Sequence, residues 1–334
     1  MTRISAAVIN YNGAADLSGC LDSVLAQTHP VDLAVYDNAS TDGSAELVGS
    51  RYPTVSLVRS PRNDGYAGAG NRAIGDAKGE YVLLLNPDVV LTPTFVERLI
   101  EAARADPRIG SLTGKLLRFP EGPDDRRIDS TGHVLYRNRW VTNRGTGEPD
   151  RGQYEPPGEV FGVSGAAAFY RRAMLEDIRV GDEYLAESFF VYLEDVDLDW
   201  RARLRGWKAW YVPGAVAYHA RGHKGRATFR DPRVLRHSLK NHFLMLLRND
   251  APGDLARALP SVLLFELIRA LDYARTHPAT WLGYWDVLRL LRRTLRERKR
   301  IQSRRTVRRV ELRRWLAPYP VREKLGVRQP SVRV

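Results

Sequence analysis

Four carboxylates, Glu194, Asp195, Asp197 and Asp199, fall within six positions of the stretch YLEDVDLDWRARLRGW, and Arg201, Arg203 and Arg205 follow at alternate positions. On an exposed helix Asp197 would pair with Arg201 and Asp199 with Arg203, each four residues on. Such pairs contribute about 0.2–0.5 kcal/mol apiece. That reading leaves Glu194 and Asp195 at the mouth of the helix, where the backbone dipole favours negative charge. A carboxylate held there can take the proton of a hydroxyl nucleophile, so these two are the candidate catalytic residues.

Asp88 is the next candidate. The run LLLNPDVVL ends a strand in Asn86-Pro87-Asp88, and Pro87 stops the ladder so that Asp88 is presented outward. One carboxylate with an amide neighbour suits Mg²⁺ or Mn²⁺ shared with ligand phosphates. An ordinary strand-ending turn is the alternative. Asp37 and Asn38 follow the strand VDLAVYD and could read a base edge or ribose hydroxyls, while Ser40, Thr41 and Asp42 suit the cap of the next helix. In SPRNDGYAGAGNRA, Gly65, Gly68 and Gly70 would let the backbone approach a ligand, and the helix beyond could aim amides at phosphate. The spacing is not the dinucleotide fingerprint, and a plain flexible turn fits the glycines equally. His219 ends the strand AVAY as a candidate metal ligand, with a surface histidine as the default reading, and His223 is a weaker candidate.

The elements that must position these groups read as strands alternating with helices: ISAAVIN, VDLAVYD, TVSLVRS and EYVLLLN, with helical spacing of Leu17, Leu21, Val24 and Leu25 between the first two. This is the pattern of a parallel α/β sheet, whose carboxyl edge is where open sheets bind ligands. Residues 118–157 turn polar and predict hairpins and loops, and KAWYVPGAVAYHA predicts two short strands split at Pro213-Gly214. Leu193, Val196, Trp200, Leu204 and Trp207 define one apolar helix face.

The 334 residues carry a formal charge of +13, unevenly spread: 25 Lys+Arg against 9 Asp+Glu from Arg230 onward, and 27 against 30 before it. Cys20 is the only cysteine, which excludes an intrachain disulfide and suits a reducing compartment. The longest apolar stretch, LPSVLLFELIRALDYA, is interrupted by Glu266, Arg269 and Asp272, so it is not expected to span a membrane.

Taken in order, VINYNG, DNASTDGS, NDGYAGAGN, LLLNPDVVL, GAAAFYRR, FFVYLEDVDLDWRARLRGW and YHARG resemble the family 2 glycosyltransferases, and most of all their bacterial rhamnosyltransferase branch. The resemblance covers about two-thirds of the chain. It implies the GT-A fold, a Rossmann-like and mostly parallel sheet flanked by helices, over residues 1–229, with the nucleotide bound by about 1–115 and the acceptor by about 116–229. Residues 230–334 form the α-helical basic C-terminal extension. The implied activity is inverting transfer of a sugar from a nucleotide diphosphate to a saccharide or lipid-linked acceptor, with dTDP-L-rhamnose as donor. A UDP-hexose, UDP-galactofuranose or a catalytically silent nucleotide-sugar-binding scaffold is the alternative. The resemblance places Tyr11, Asp37 and Asn38 at the nucleotide, and Gly65 and Asn71 beneath the phosphates. Asn86 and Asp88 stand at the family's metal motif, Asp195 is the base with Glu194 beside it, and His219 completes the metal site. Asn86 stands where the family motif has a carboxylate, which leaves strict dependence on Mg²⁺ or Mn²⁺ open.

The basic C-terminal part, with WDVLRLLRRTLRERKRIQSRRTVRRVELRRWL, suits an anionic membrane surface reached from the cytoplasmic side. Packing within a homo-oligomer is the second reading. Nucleic acid is disfavoured because no binding motif accompanies the charge.

Overall fold

A computed structural model of the chain describes residues 2–120, 125–220 and 231–319. His223 and the boundary expected at 229/230 lie outside them. The first half runs β1 (Ile4–Asn10), α1 (Ala14–Leu25), β2 (Asp32–Asp37), α2 (Ser44–Arg51), β3 (Ser56–Arg59), α3 (Gly65–Asp76), β4 (Tyr81–Leu85), β5 (Val89–Leu91) and α4 (Phe95–Ala105). There follow β6 (Ile109–Arg118), β7 (Ile128–Ser130), β8 (His133–Tyr136), β9 (Val141–Asn143), β10 (Gly158–Val160), β11 (Ala167–Arg171), α5 (Arg172–Ile178), α6 (Glu194–Leu204) and β12 (Lys208–His219). The last part is α7 (Pro232–Asn249), α8 (Pro252–Thr276), α9 (Leu282–Ser303), α10 (Arg309–Arg313) and β13 (Leu316–Ala317).

The main sheet has the order β10-β12-β6-β11-β4-β1-β2-β3. Strands β3, β2, β1 and β4 are parallel, as the alternation of strands and helices predicts. The parallel character ends at β4, because β11 inserts antiparallel between β4 and β6. Strand β12 runs unbroken past Pro213-Gly214; the expected break survives only as a register shift against β6 between Val212 and Val216. Apolar side chains bury on both faces of the sheet, against α1 and α4 on one side and against α3, α5 and α6 on the other.

A third cluster joins Val196, Trp200 and Leu204 of α6 to Leu244, Met245 and Leu246 of α7 and to Ala258 and Val262 of α8. Helix α7 begins with Asp231 accepting from the Arg233 amide at 2.8 Å and with Pro232 in its first turn. Strand β13 pairs with β8 of the hairpin β8–β9. The C-terminal helices are therefore packed into the same body as the sheet.

Candidate active site

The carboxyl ends of β1, β2 and β4 meet along one edge. Asn10 and Asp37 are register partners across β1 and β2. The Asn10 amide donates to Asp37 Oδ1 at 2.8 Å, to Ser44 Oγ at 2.8 Å and to Ser40 Oγ at 3.1 Å. Asp42 accepts from the Ala14 amide at 2.8 Å and from Ser44, so it ties together the starts of α1 and α2. Asn38 is buried, donating to Asn63 and the Gly65 carbonyl and accepting from the Asp64 amide at 3.0 Å. Its polar atoms hold the loop that leads into α3. Tyr11, by contrast, is 53% exposed on the open side of this edge.

Helix α3 starts at Gly65, whose φ of +73° is open to glycine. A Cβ there would lie 2.3 Å from the Phe190 carbonyl oxygen. Gly70 is likewise filled from within the chain, by Leu185. The glycines thus admit the strap 184–193 against α3. Asn71 clamps that strap: Oδ1 accepts from the amides of Tyr184 and Leu185 at 3.0 and 2.8 Å, and Nδ2 donates to the Leu185 carbonyl at 2.9 Å.

The strap delivers the acidic cluster. Phe190, Tyr192 and Leu193 all have positive φ, a conformation costly for side-chain-bearing residues that persists only where surrounding contacts impose it. Those contacts come from α7. The Asn241 carboxamide lies 2.7–2.9 Å from the carbonyls of Phe189, Val191 and Tyr192, and Lys240 donates to Ser188 at 2.6 Å.

At the mouth of α6, Asp195 Oδ2 accepts from the Gly165 amide at 2.8 Å and faces His133 Nε2 at 3.6 Å, while Oδ1 accepts from the Val196 amide. Burial holds the His133 imidazole below its ordinary pKa, against the pull of Asp195. Glu194 is buried and Oε2 has no partner among the described residues; burial, then the Asp195 charge, raises its carboxyl well above the usual range. Both effects favour the protonated form of the Glu194 carboxyl.

The rest of the cluster is not the solvated ion-pair ladder expected from spacing. Asp197, Asp199, Arg201 and Arg203 are all buried. Asp197 does pair with Arg201 at 2.9 Å, and also with Arg248 at 2.9 Å and Asn249 at 2.7 Å from α7. Burial raises its carboxyl, but Arg248 and Arg201 outweigh that and leave it below the usual range. Asp199 does not pair with Arg203. It accepts instead from Ser111 Oγ at 2.5 Å and the Val163 amide at 2.7 Å, and burial lifts its pKa to about 7. Arg203 turns to Glu159 and to the carbonyls of Val160 and Phe161. For Asp199 and Arg203, partners distant in sequence thus replace the local ones, while Asp197 keeps Arg201 and adds Arg248 and Asn249.

Asp88 and His219 meet at the other end of the site, with Nε2 3.3 Å from Asp88 Oδ1 and Nδ1 2.8 Å from the fully buried Asp129. Burial pulls the imidazole down, but Asp129 and Asp88 more than offset it and hold it at about 9. The donor set fits a divalent cation: a carboxylate backs one ring nitrogen, so the other can ligate beside Asp88 in place of its proton. No group of three or more His, Cys, Asp or Glu side chains placed to hold a metal occurs among the described residues. The backbone of Asn86 is tied to Ala166 and approached by the Cys20 thiol. Asp129, His133 and Asn10 escaped sequence reasoning. The first two stand in the polar stretch read as hairpins and loops, where a lone His or Asp carries no signal until β7 and β8 are placed.

The sheet edge thus carries a carboxylate–imidazole pair beyond β4, and a second pair of carboxylates stands at the buried mouth of α6. The model of glycosyl transferase family 2 matches residues 5–179, and the chain belongs to that family. An N-acetylglucosaminyl-diphospho-decaprenol L-rhamnosyltransferase of Mycobacterium tuberculosis is 34% identical over 244 residues, covering 67% of this chain and 77% of its own length. Among solved structures, GalNAc-T7 with UDP, GalNAc and Mn²⁺ aligns with a TM-score of 0.58 at 14% identity, over 74% of this chain and 48% of its own length. The mannosyltransferase PcManGT of Pyrobaculum calidifontis, with GDP-Man and Mn²⁺, aligns at 0.51 and 23% identity, over 90% and 85%. The chain spans about half of GalNAc-T7, and both structural likenesses bear on the fold.

Proposed function

We propose that the chain transfers L-rhamnose from dTDP-L-rhamnose to a hydroxyl of a sugar carried on a lipid diphosphate, with inversion, in the assembly of a cell-surface polysaccharide. The likeness to the mycobacterial rhamnosyltransferase over two-thirds of the chain carries this reading. Asp195 accepts the acceptor hydroxyl proton, oriented by the Gly165 amide and His133. The oxygen so freed attacks the anomeric carbon opposite the diphosphate, which departs with the electron pair of the broken C–O bond. One carboxylate suffices, because no covalent glycosyl-enzyme is formed. Burial favours the protonated form of Glu194, which would donate a hydrogen bond to the acceptor. Tyr11 lies against the base, Asp37, Asn38, Gly65 and Asn71 shape the donor floor, and Asn86 flanks the diphosphate. Mg²⁺ or Mn²⁺ held by Asp88 and His219 would neutralise charge on the leaving diphosphate when bound.

Donor binding followed by turnover tests this. Calorimetric titration with dTDP-rhamnose, UDP-glucose, UDP-galactofuranose and GDP-mannose, with and without Mn²⁺, is expected to select dTDP-rhamnose. Transfer is then scored on a short-chain prenyl-diphosphate-GlcNAc. Turnover of a UDP-sugar instead overturns the donor assignment, and donor binding without any transfer favours the silent scaffold.

A further inference from the structure

The middle of helix α8 buries a charged pair and exposes large apolar side chains, the reverse of what water selects. Glu266 and Arg269 are 5% and 8% exposed and paired at 2.5 Å, with His242 of α7 on Glu266 at 2.8 Å. Leu259, Leu263, Leu264, Leu267, Ile268 and Leu271 are 44–61% exposed. At 100° per residue these six sweep half the circumference of the helix, and no charge interrupts that arc between 259 and 271. Burying an ion pair and exposing six large apolar side chains are each unfavourable in water. Both on one helix fit an apolar medium outside it.

The patch continues beyond α8. Trp281 donates its indole N–H to the Ala270 carbonyl at 3.3 Å, and Trp281 and Trp285 are both about half exposed. Exposed arginines stand around it: Arg257 and Arg275 toward the two ends of α8, and Arg289, Arg292 and Arg296 on α9. Other arginines of α9, which the sequence suggested would face lipid, turn inward: Arg293 to Glu297 and Glu183, Arg298 to the Leu247 carbonyl.

We propose that α8, with Trp281 and Trp285, lies in the plane of an anionic bilayer surface, its leucines below the headgroups and the arginines among them. An apolar arc, interfacial tryptophans and flanking arginines are the three elements of such a surface. None of the described helices is long and apolar enough to cross the membrane. A second copy is the poorer occupant, because it would bring the same basic C-terminal region, 25 Lys+Arg against 9 Asp+Glu, to face itself. The inference deepens the proposed function, on which it rests for its purpose: a lipid-linked acceptor is met at this surface.

The full chain is tested by flotation with vesicles of phosphatidylcholine alone and of phosphatidylcholine mixed with phosphatidylglycerol. Wild type is expected to bind the mixed vesicles, and Leu264→Glu/Ile268→Glu to lower that partitioning roughly a hundredfold with an unchanged circular-dichroism melt. Arg275→Gln/Arg289→Gln/Arg292→Gln is expected to lose the preference for phosphatidylglycerol. Wild type that ignores both vesicles, or a leucine-face variant that binds as well as wild type, overturns the proposal. A dimer in light scattering that the leucine-face variant dissolves, with no vesicle binding, assigns the patch to a second copy and also overturns it. Vesicle binding is scored without substrate, so a chain that floats yet transfers no sugar refutes the proposed activity and keeps the docking surface.

Discussion

Asp199 gives the sharpest test of the buried acidic helix. Its pKa is lifted from 3.8 to about 7 by burial, against the hydrogen bonds from Ser111 and Val163. The folded state therefore holds a proton that the unfolded chain has released at any pH between those values. Stability is full below the unfolded pKa and is lost as pH rises through the folded one. Each pH unit in the window costs about 1.4 kcal/mol, and the whole window about 4 kcal/mol. That is a large share of the roughly 5–15 kcal/mol by which domains are stable. Asp199→Asn keeps the shape, accepts from Val163 and donates to Ser111, but titrates nothing. It should be close to wild type near about pH 4 and more stable by up to about 4 kcal/mol above about pH 8. Urea unfolding across that range reads the difference. Larger side chains are no substitute, since Gly162 is packed against the carboxylate. Parallel profiles for the two proteins would refute the claim that Asp199 is folded in its protonated form.

Two further outcomes follow from the same helix. Arg248→Ala removes one of two arginines from the fully buried Asp197 and leaves Glu297 without its Arg248 contact, so urea unfolding should show a loss of about 3 kcal/mol or more; a loss under about 1 kcal/mol would mean that Arg201 and Asn249 suffice. Asp195→Asn should lower kcat by about 10²–10⁴-fold while donor affinity by calorimetry stays near wild type, and near-normal transfer would remove Asp195 from the role of base.

The strands and their punctuation were legible because their signals are local. ISAAVIN and EYVLLLN bury as read, and Asp37 and Asp88 stand at the carboxyl edge where strand ends put them. The surroundings of α6 were not legible, for a physical reason. A residue four positions on is the default partner for a carboxylate only when the helix is exposed, and burial replaced Arg203 with Ser111 and Val163 as the partners of Asp199. Gly65 and Gly70 could be seen as places of close approach, but not that Phe190 and Leu185 of the same chain make the approach. In LPSVLLFELIRALDYA the charges were read as obstacles to a membrane span. They are obstacles to crossing; Asp272 stays exposed, while the inward orientation of Glu266 and Arg269 on α8 depended on His242 and Trp140, which no local pattern supplies.

The contacts that α7 makes with the strap and with Asp197 bear on how such an enzyme can diversify. Asn241 holds the backbone before Asp195, while Arg248 and Asn249 hold the helix that Asp195 begins. A chimera that grafts a foreign tail onto this sheet leaves the buried Asp197 with Arg201 alone as its counterion, and the strap without its clamp, unless those three side chains come with it. Lineages of this architecture are therefore expected to pass on the inner face of α7 together with α6 and the strap as one heritable unit.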